Sequence, residues 1–161
     1  MPQFVIERGF SERDRSAIVA LLRRYEAGLG VSLCFQGFEA ELAGLPGAYA
    51  PPGGQMLLAR IPDDGRLIGL VALRPVSDAP DLCEMKRLFV NASARGAGLG
   101  RALALAVMEE GRRLGYGRMC LDTLPTMTEA QALYRSLGFR QTGASRFEPT
   151  VLLFERELAR P

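Results

Sequence analysis

Histidine is absent from this chain and cysteine is scarce, with three among 161 residues. Without an imidazole the chain can form no Ser–His or Cys–His pair, so Glu, Asp, Tyr, Cys or water must carry out any proton transfer. Cys34, Cys83 and Cys120 lie far apart and lack the C-x-x-C spacing of zinc or redox sites. We therefore expect buried, reduced thiols and no metal site.

Long apolar runs are also absent. The runs at residues 56–59 and 68–73 are far shorter than the ~20 residues that cross a bilayer. Glu7 stands where a signal peptide needs apolar residues. The formal net charge is only +2, too small to indicate a nucleic-acid partner. These features predict a soluble, cytoplasmic protein that binds neither membranes nor nucleic acid.

The composition is that of an ordinary globular protein, with 48% hydrophobic and 24% charged residues. A chain of this length can bury one core without help from disulfides or metals. No repeat, low-complexity tract or linker divides it, so we expect residues 1–161 to form a single domain. The sequence does not specify the oligomeric state, and a homodimer stays one option.

Hydrophobic periodicity predicts strands and helices that alternate along most of the chain. Ser11 with Asp14, and Thr126 with Glu129, resemble capping boxes that would open two of the helices, and Gly138 is placed to end the last helix. The predicted strands cover residues 4–10, 55–61, 67–74, 82–90, 118–124, 140–144 and 150–157, and the predicted helices cover 11–30, 37–44, 99–115 and 126–138.

A glycine-rich loop, residues 95–101, lies between a predicted strand and a predicted helix. Glycine lets a backbone approach a ligand closely, and free N–H groups at a helix start favour a phosphate or pyrophosphate. A P-loop would need Lys-Ser/Thr after the last glycine, where Arg101 and Ala102 stand. An NAD-type fingerprint gains support from Asp122 on the next strand but lacks its third glycine, because Leu103 stands there. An NAD-type binding domain is therefore the weaker alternative.

Residues 95–100 read Arg-Gly-Ala-Gly-Leu-Gly, and residues 130–139 read Ala-Gln-Ala-Leu-Tyr-Arg-Ser-Leu-Gly-Phe. The two segments resemble motifs of the GNAT superfamily of N-acetyltransferases. Residues 95–100, Arg-Gly-Ala-Gly-Leu-Gly, resemble its R/Q-x-x-G-x-G/A pyrophosphate loop, and residues 87–90 resemble the strand before that loop. Residues 130–139 resemble its A-x-x-L-Y-x-x-x-G-F motif. The resemblance covers residues 82–139. It implies an α/β (α+β) fold in which a mixed, mostly antiparallel sheet has two central parallel strands splayed apart and is flanked by about four helices.

The resemblance also implies acetyl-CoA as co-substrate, with no metal. Its pantetheine would lie between the splayed strands, and its pyrophosphate would lie on the glycine loop. The implied contacts are the backbone of Leu88, Phe89 and Val90, and then Arg95, Gly96, Ala97, Gly98, Leu99, Gly100 and Arg101. Met127 stands where the family often has an Asn that contacts the pantetheine, and Thr126 or Thr128 would have to replace that hydrogen bond.

Acetyl transfer needs a neutral amine, because an ammonium has no lone pair. Glu84 resembles the catalytic Glu of the histone-acetylating members, and a salt bridge is its alternative role. Tyr134 stands where the family has its general acid. Asp122 is a second carboxylate, expected to be structural, and Cys120 is expected in the core. Strand alternation places Glu84, Lys86, Leu88 and Val90 on one sheet face and Met85, Arg87 and Phe89 on the other.

The predicted function is therefore transfer of an acetyl group from acetyl-CoA to a primary amine by direct attack in a ternary complex. A small-molecule amine is slightly favoured over a peptide amine, that is, a protein lysine or N-terminus. A catalytically inactive CoA- or acyl-CoA-binding module is the alternative from another class. Residues 11–44, 45–54 and 143–149 are expected to set the choice of acceptor.

Overall fold

The computed structural model describes residues 3–146 and 148–159. Short 3-10 turns precede three of the helices and the second strand. Along the chain the elements are β1 (Val5–Arg8), α1 (Arg15–Leu29), α2 (Phe38–Ala43), β2 (Gln55–Arg60), β3 (Leu67–Val76), β4 (Ala79–Val90), α3 (Leu99–Arg113), β5 (Arg118–Thr123), α4 (Thr128–Ser136), β6 (Arg140–Ala144) and β7 (Leu152–Glu157).

The strands form one sheet in the order β1-β2-β3-β4-β5-β7-β6. Every neighbouring pair is antiparallel except β4 with β5, which is parallel. The β4–β5 ladder ends at Glu84 and Cys120, although β4 continues to Val90 and β5 to Thr123. The two central strands therefore splay apart, and the predicted mixed sheet with flanking helices is confirmed.

Apolar side chains cover both faces of the sheet. One layer joins α3 and α4 to the sheet through Leu103, Val107, Phe139, Met85 and Leu121. The other joins α1 and α2 to the opposite face through Ile18, Leu22, Phe38, Met56 and Leu70. Burying a side chain of this size contributes roughly 1.5–3 kcal/mol, so the two layers hold the central strands from both sides.

The pairing of β4 with β3 contains a β-bulge at Arg87. Ala72 pairs with Lys86 and Leu70 pairs with Phe89, so two residues of β4 oppose one residue of β3. Arg87 has a φ of 62°, a left-handed value that is uncommon for a residue other than glycine. An inserted residue of this kind bends a strand and re-aims its side chains, and such bulges often lie beside active sites.

The bulge overturns part of the predicted alternation. Lys86 and Arg87 both face α1 and α2, because Lys86 contacts Gln36 and Arg87 contacts Glu41. After the bulge, the side chains at positions 88 and 90 pack in the layer of α3. The prediction that Leu88 and Val90 share a face with Lys86 is wrong, as is the grouping of Arg87 with Met85, since a strict period of two does not survive an inserted residue.

Neither predicted capping box forms. Ser11 Oγ donates to Asp14 Oδ2 at 2.9 Å instead of capping a backbone N–H. The guanidinium of Arg60 donates to the same carboxylate oxygen at 2.7 Å. At α4 the N-cap residue is Met127, and no side chain caps the helix. No helix among the described residues has the length and apolar character needed to cross a bilayer.

The cysteines are unpaired but differ in exposure. Cys83 is buried, Cys120 is half-buried and Cys34 is exposed. The expectation of buried thiols is therefore wrong for Cys34, which lies in the turn before α2. Burial raises the pKa of the Cys120 thiol to about 12, so this thiol stays protonated at neutral pH and is a poor nucleophile.

Candidate active site

The splayed ends of β4 and β5 open a cleft with two neighbouring parts, both of which are lined by Leu88 and Met127. The first part, here called the outer groove, has a volume of about 600 Å³. Its lining is Gly28, Leu88, Phe89, Val90, Arg95, Gly100, Thr126, Met127, Thr128, Glu129, Ala130 and Leu133. The second part, here called the inner cavity, is about 40 Å³ and lies deeper, against the bulge of β4.

The glycine loop forms one end of the outer groove. Gly96 and Gly98 have φ values of 85° and 78°, which favour glycine. Gly98 is the N-cap of α3, and the first helical hydrogen bond runs from Ala102 N–H to the Gly98 carbonyl. The three N–H groups of residues 99–101 therefore have no acceptor within the helix, which makes this end of the groove suited to an anion.

Not every predicted loop residue presents its side chain to the groove. Arg95 does: its guanidinium lies 5.6 Å from the centre of the Phe89 ring, and its Nε–H donates to the Val90 carbonyl oxygen at 3.1 Å. Leu99 is buried in the core, so only its backbone is available to a ligand. Arg101 donates to Ser136 Oγ at 3.0 Å, which directs it toward α4.

The backbone of β4 forms the side wall of the groove. No strand is hydrogen-bonded to β4 on its β5 side beyond Glu84, within the described part of the chain. The predicted contacts Leu88, Phe89 and Val90 all line the groove. Thr126 and Thr128, the predicted substitutes for the missing Asn, line it as well.

The inner cavity is enclosed by α1, the turn before α2, the two splayed strands and α4. Its lining is Tyr25, Leu29, Leu33, Gln36, Met85, Lys86, Arg87, Leu88, Leu121, Asp122, Thr123, Leu124, Met127, Tyr134 and Val151. Most of these side chains are apolar or aromatic, so its few charged groups lie in a poorly hydrated environment.

Lys86 is one of two buried cations in the lining of this cavity, together with Arg87, and its side chain is only 5% exposed. Its Nζ donates to Gln36 Oε1 at 3.1 Å and lies 3.8 Å from Asp122 Oδ2 and 4.0 Å from Glu84 Oε2. Burial lowers the pKa of Lys86, although the two carboxylates oppose that shift.

Glu84 lies outside the lining of both parts of the cleft. Arg74 donates to its Oε1, with Nε at 2.9 Å and a second nitrogen at 2.8 Å. The predicted base is thus placed in an ion pair, and its other carboxylate oxygen lies 4.0 Å from Lys86 Nζ. Asp122, by contrast, lines the cavity directly.

Tyr134 lines the inner cavity from α4. Its ring packs edge-on against Phe139 at 6.0 Å, and the N–H of Phe139 donates to the Tyr134 carbonyl oxygen. That bond closes the C-terminal end of α4, where Gly138 follows the C-cap residue Leu137 and has a φ of 91°, a left-handed value that favours glycine. Burial raises the pKa of Tyr134, so its hydroxyl keeps its proton and can act as a donor.

Arg87 fixes the bulge that shapes the cavity. Its guanidinium makes two hydrogen bonds to Glu41 of α2, at 2.9 and 2.8 Å, and lies over the rings of Tyr25 and Phe38. The pair with Glu41 raises the pKa of Arg87 despite burial, so the guanidinium stays charged at neutral pH.

Sequence reasoning missed Lys86 and Gln36. Lys86 carried one usable signal, since it is the only lysine among the twenty basic residues of the chain, and the other nineteen are arginines. Gln36 carried no signal, because its contact spans 50 residues of sequence. Asp122 was expected to be structural, whereas the structure places its side chain in the cavity lining.

Known proteins match this chain in sequence and in fold. The family model described as the acetyltransferase (GNAT) family matches residues 29–139. An uncharacterized N-acetyltransferase of Schizosaccharomyces pombe is 42% identical over 130 residues, which are 81% of this chain and 78% of that protein. The uncharacterized N-acetyltransferase YjgM of Escherichia coli is 30% identical over 141 residues, 86% of this chain and 83% of that protein.

A crystal structure of a GNAT-family acetyltransferase from Staphylococcus aureus has the same fold. Its TM-score is 0.78 at 18% identity, and the match covers 98% of this chain and 100% of that chain. The family model covers more than half of the chain, and the fungal relative matches most of both sequences. The chain therefore belongs to the GNAT family of N-acetyltransferases and is an acyltransferase.

Proposed function

We propose that this enzyme transfers an acetyl group from acetyl-CoA to a primary amine by direct attack in a ternary complex. The observation that carries the proposal is that the outer groove and the inner cavity are neighbours with Leu88 and Met127 in both linings. A loop suited to an anion ends the groove, and the basic Lys86 and Arg87 and the acidic Asp122 line the cavity. A thioester placed at the junction would face an amine placed in the cavity.

The residues of the outer groove fit the co-substrate. Arg95 and the free N–H groups at the start of α3 suit a pyrophosphate, and the unpaired edge of β4 offers hydrogen bonds to amides of a pantetheine arm. Acetyl-CoA supplies the activated acetyl group when bound. We assign the pyrophosphate to residues 95–101 and the pantetheine to residues 88–90, with Thr126 or Thr128 in place of the usual Asn.

Two carboxylates are candidates for taking the proton of the acceptor ammonium. We propose Asp122, because it lines the cavity, directly or through one water molecule. Glu84 stays the alternative base, with one carboxylate oxygen 4.0 Å from Lys86 Nζ. In either case the amine nitrogen forms the new N–C bond while the C–S bond breaks.

Tyr134 is proposed as the proton donor to the departing sulfur. It lies in the cavity wall beside the junction, and its raised pKa keeps the hydroxyl protonated. The nitrogen loses two protons in all, because the ammonium gives one to the base before attack and a second leaves as the amide forms. One proton reaches the departing thiolate through Tyr134, and the net product of the other is one proton released to solvent with the amide and the CoA thiol.

The acceptor is proposed to be a small-molecule amine, in keeping with the small volume of the inner cavity. An inactive CoA-binding module is the alternative function, and an NAD-type domain is a weaker one. A cytoplasmic location and a homodimer remain predictions from the sequence.

A calorimetric titration with acetyl-CoA, with NADH and ATP as controls, tests the cofactor. Release of free CoA thiol in the presence of a panel of primary amines then tests catalysis. We expect the protein to bind acetyl-CoA but neither NADH nor ATP, and to release thiol only when an amine is present. Binding without turnover on any amine would support the inactive module, and binding of NADH would contradict the proposal.

A further inference from the structure

We propose that the acceptor is an α-amino acid or a close analogue, whose carboxylate binds Lys86 and whose amine binds Asp122; this inference rests on the proposed acetyl transfer. The two residues form an oppositely charged pair in the inner cavity. Such a pair matches a ligand that carries an ammonium and a carboxylate on the same carbon.

The sheet places this pair at the point where the cleft opens. The last paired residues of β4 and β5 are Glu84 and Cys120. Lys86 and Asp122 each stand two residues further along, on the same sheet face as those paired residues, because side chains alternate along a strand. Each side chain therefore lines the cavity from a different strand.

Lys86 and Asp122 are close but not tightly bound to each other. An ammonium has three N–H donors, and among the described residues Lys86 Nζ makes one hydrogen bond, to Gln36. The carboxylates of Asp122 and Glu84 lie at 3.8 and 4.0 Å, beyond hydrogen-bond distance. Two donors of a buried cation are thus available for an anionic ligand.

The other charged side chains around the cavity are already in ion pairs. Arg87 is held by Glu41, and Glu84 is held by Arg74. This leaves Lys86 and Asp122 as the pair that faces a ligand. A zwitterion adds one charge of each sign and keeps the cavity neutral, whereas a simple alkylammonium adds an uncompensated positive charge at a site of low polarity.

The choice of lysine supports a role for this side chain. The chain contains nineteen arginines and one lysine, and that lysine lies in the cavity. A compact ammonium with rotatable donors fits a small cavity in which a planar guanidinium would need more room. The apolar wall formed by Leu29, Leu33 and Val151 would then face the side chain of the amino acid.

A substrate comparison with the full chain tests the inference. Thiol release is measured for the twenty amino acids, for their carboxamides and for the corresponding amines that lack the carboxylate. We expect kcat/KM for the best amino acid to exceed that of its carboxamide and its decarboxylated amine by at least about tenfold. Equal or faster turnover of the compounds without a carboxylate would overturn the inference while leaving acetyl transfer intact.

The variant Lys86→Met tests whether the side chain of Lys86 causes the preference for an acceptor that carries a carboxylate. The ratio of kcat/KM between the amino acid and its carboxamide should fall to about twofold or less, mainly through KM for the amino acid. Calorimetric binding of acetyl-CoA shows whether the variant is folded and competent for the co-substrate. An unchanged ratio in a variant that binds acetyl-CoA would contradict the assignment.

A binding measurement that does not depend on activity uses the single lysine. Protein labelled with [ε-¹³C]lysine gives one lysine resonance, because the chain contains one lysine. In the presence of CoA, the amino acid should shift this resonance and its carboxamide should not. Equal shifts with both compounds, or none, would overturn the inference, whereas failure of the protein to bind CoA would overturn the proposed function itself.

Discussion

Lys86 Nζ lies 3.8 Å from Asp122 Oδ2, across the gap that opens where the parallel strands β4 and β5 part. Neither residue belongs to the glycine loop or to the motif that contains Tyr134. The contact joins two strands whose relative position depends on the whole sheet, and it places opposite charges at the inner end of the cleft.

Replacement of Asp122 tests which carboxylate accepts the proton. Asp122→Asn should lower kcat about 10²-fold, the scale of a general base, with little effect on acetyl-CoA affinity. Glu84→Gln should have a smaller effect on kcat, because its carboxylate is paired with Arg74 and does not line the cleft. Steady-state kinetics of both variants with a saturating amine give the comparison, and the opposite ranking would assign the base to Glu84.

The hydroxyl of Tyr134 is expected to act in turnover more than in binding. Tyr134→Phe should lower kcat about 10²-fold while the Kd for acetyl-CoA, measured by calorimetry, changes by less than about twofold. Tyr116→Phe is the control, because its hydroxyl donates to the Gly53 carbonyl away from the cleft. Equal activity of Tyr134→Phe and the control would make Tyr134 a packing residue only.

Gly98→Asp should weaken binding of CoA at least about tenfold, because it adds a negative charge where the pyrophosphate is proposed to lie. The φ of 78° also makes any side chain there strained. Gly65→Asp is a matched control, since Gly65 has a φ of 72° and lies in the turn between β2 and β3. A similar loss of CoA affinity in both variants would attribute the effect to strain, and no loss in Gly98→Asp would remove the loop from the site.

Glu41→Gln should destabilise the fold by about 3 kcal/mol, because it leaves the buried Arg87 without its counter-ion. Glu39→Gln is the control in the same helix, since Glu39 is 71% exposed and pairs with the exposed Arg23. That change should cost less than about 1 kcal/mol. Urea unfolding of the two variants measures the difference, and equal free energies of unfolding would mean that the Arg87–Glu41 pair does not hold the bulge.

The single lysine should titrate below the ordinary value of about 10.4, because burial lowers its pKa. The folded state then binds fewer protons than the unfolded state between the lowered pKa and the ordinary one. The free energy of unfolding should therefore rise with pH across that interval. At pH values below the interval, the folded state is destabilised by the full cost of burying the ammonium. The [ε-¹³C]lysine resonance gives the pKa directly, and a midpoint at or above 10.4 would contradict the effect of burial.

The order of strands and helices could be predicted from the sequence because it depends on local patterns. The β2–β3 pair, the helix after the glycine loop and the cap at Gly138 each follow from periodicity or from the conformational freedom of glycine. The parallel central strands came from the resemblance of two motifs. The capping box predicted at Ser11 failed because Arg60, a residue 46 positions away, pairs with the side chain of Asp14.

The sequence by itself determined that this chain is an N-acetyltransferase, since motifs of fixed spacing carry the family and local glycines shape the loop. Only the tertiary structure decided which charged residues face the cleft. The bulge at Arg87 depends on pairing with β3 and on the ion pair with Glu41, and it moved the side chains of Leu88 and Val90 to the opposite face. Lys86, Gln36 and Asp122 come together because separate elements pack on one sheet, and such distant contacts leave no periodic signal in a single sequence.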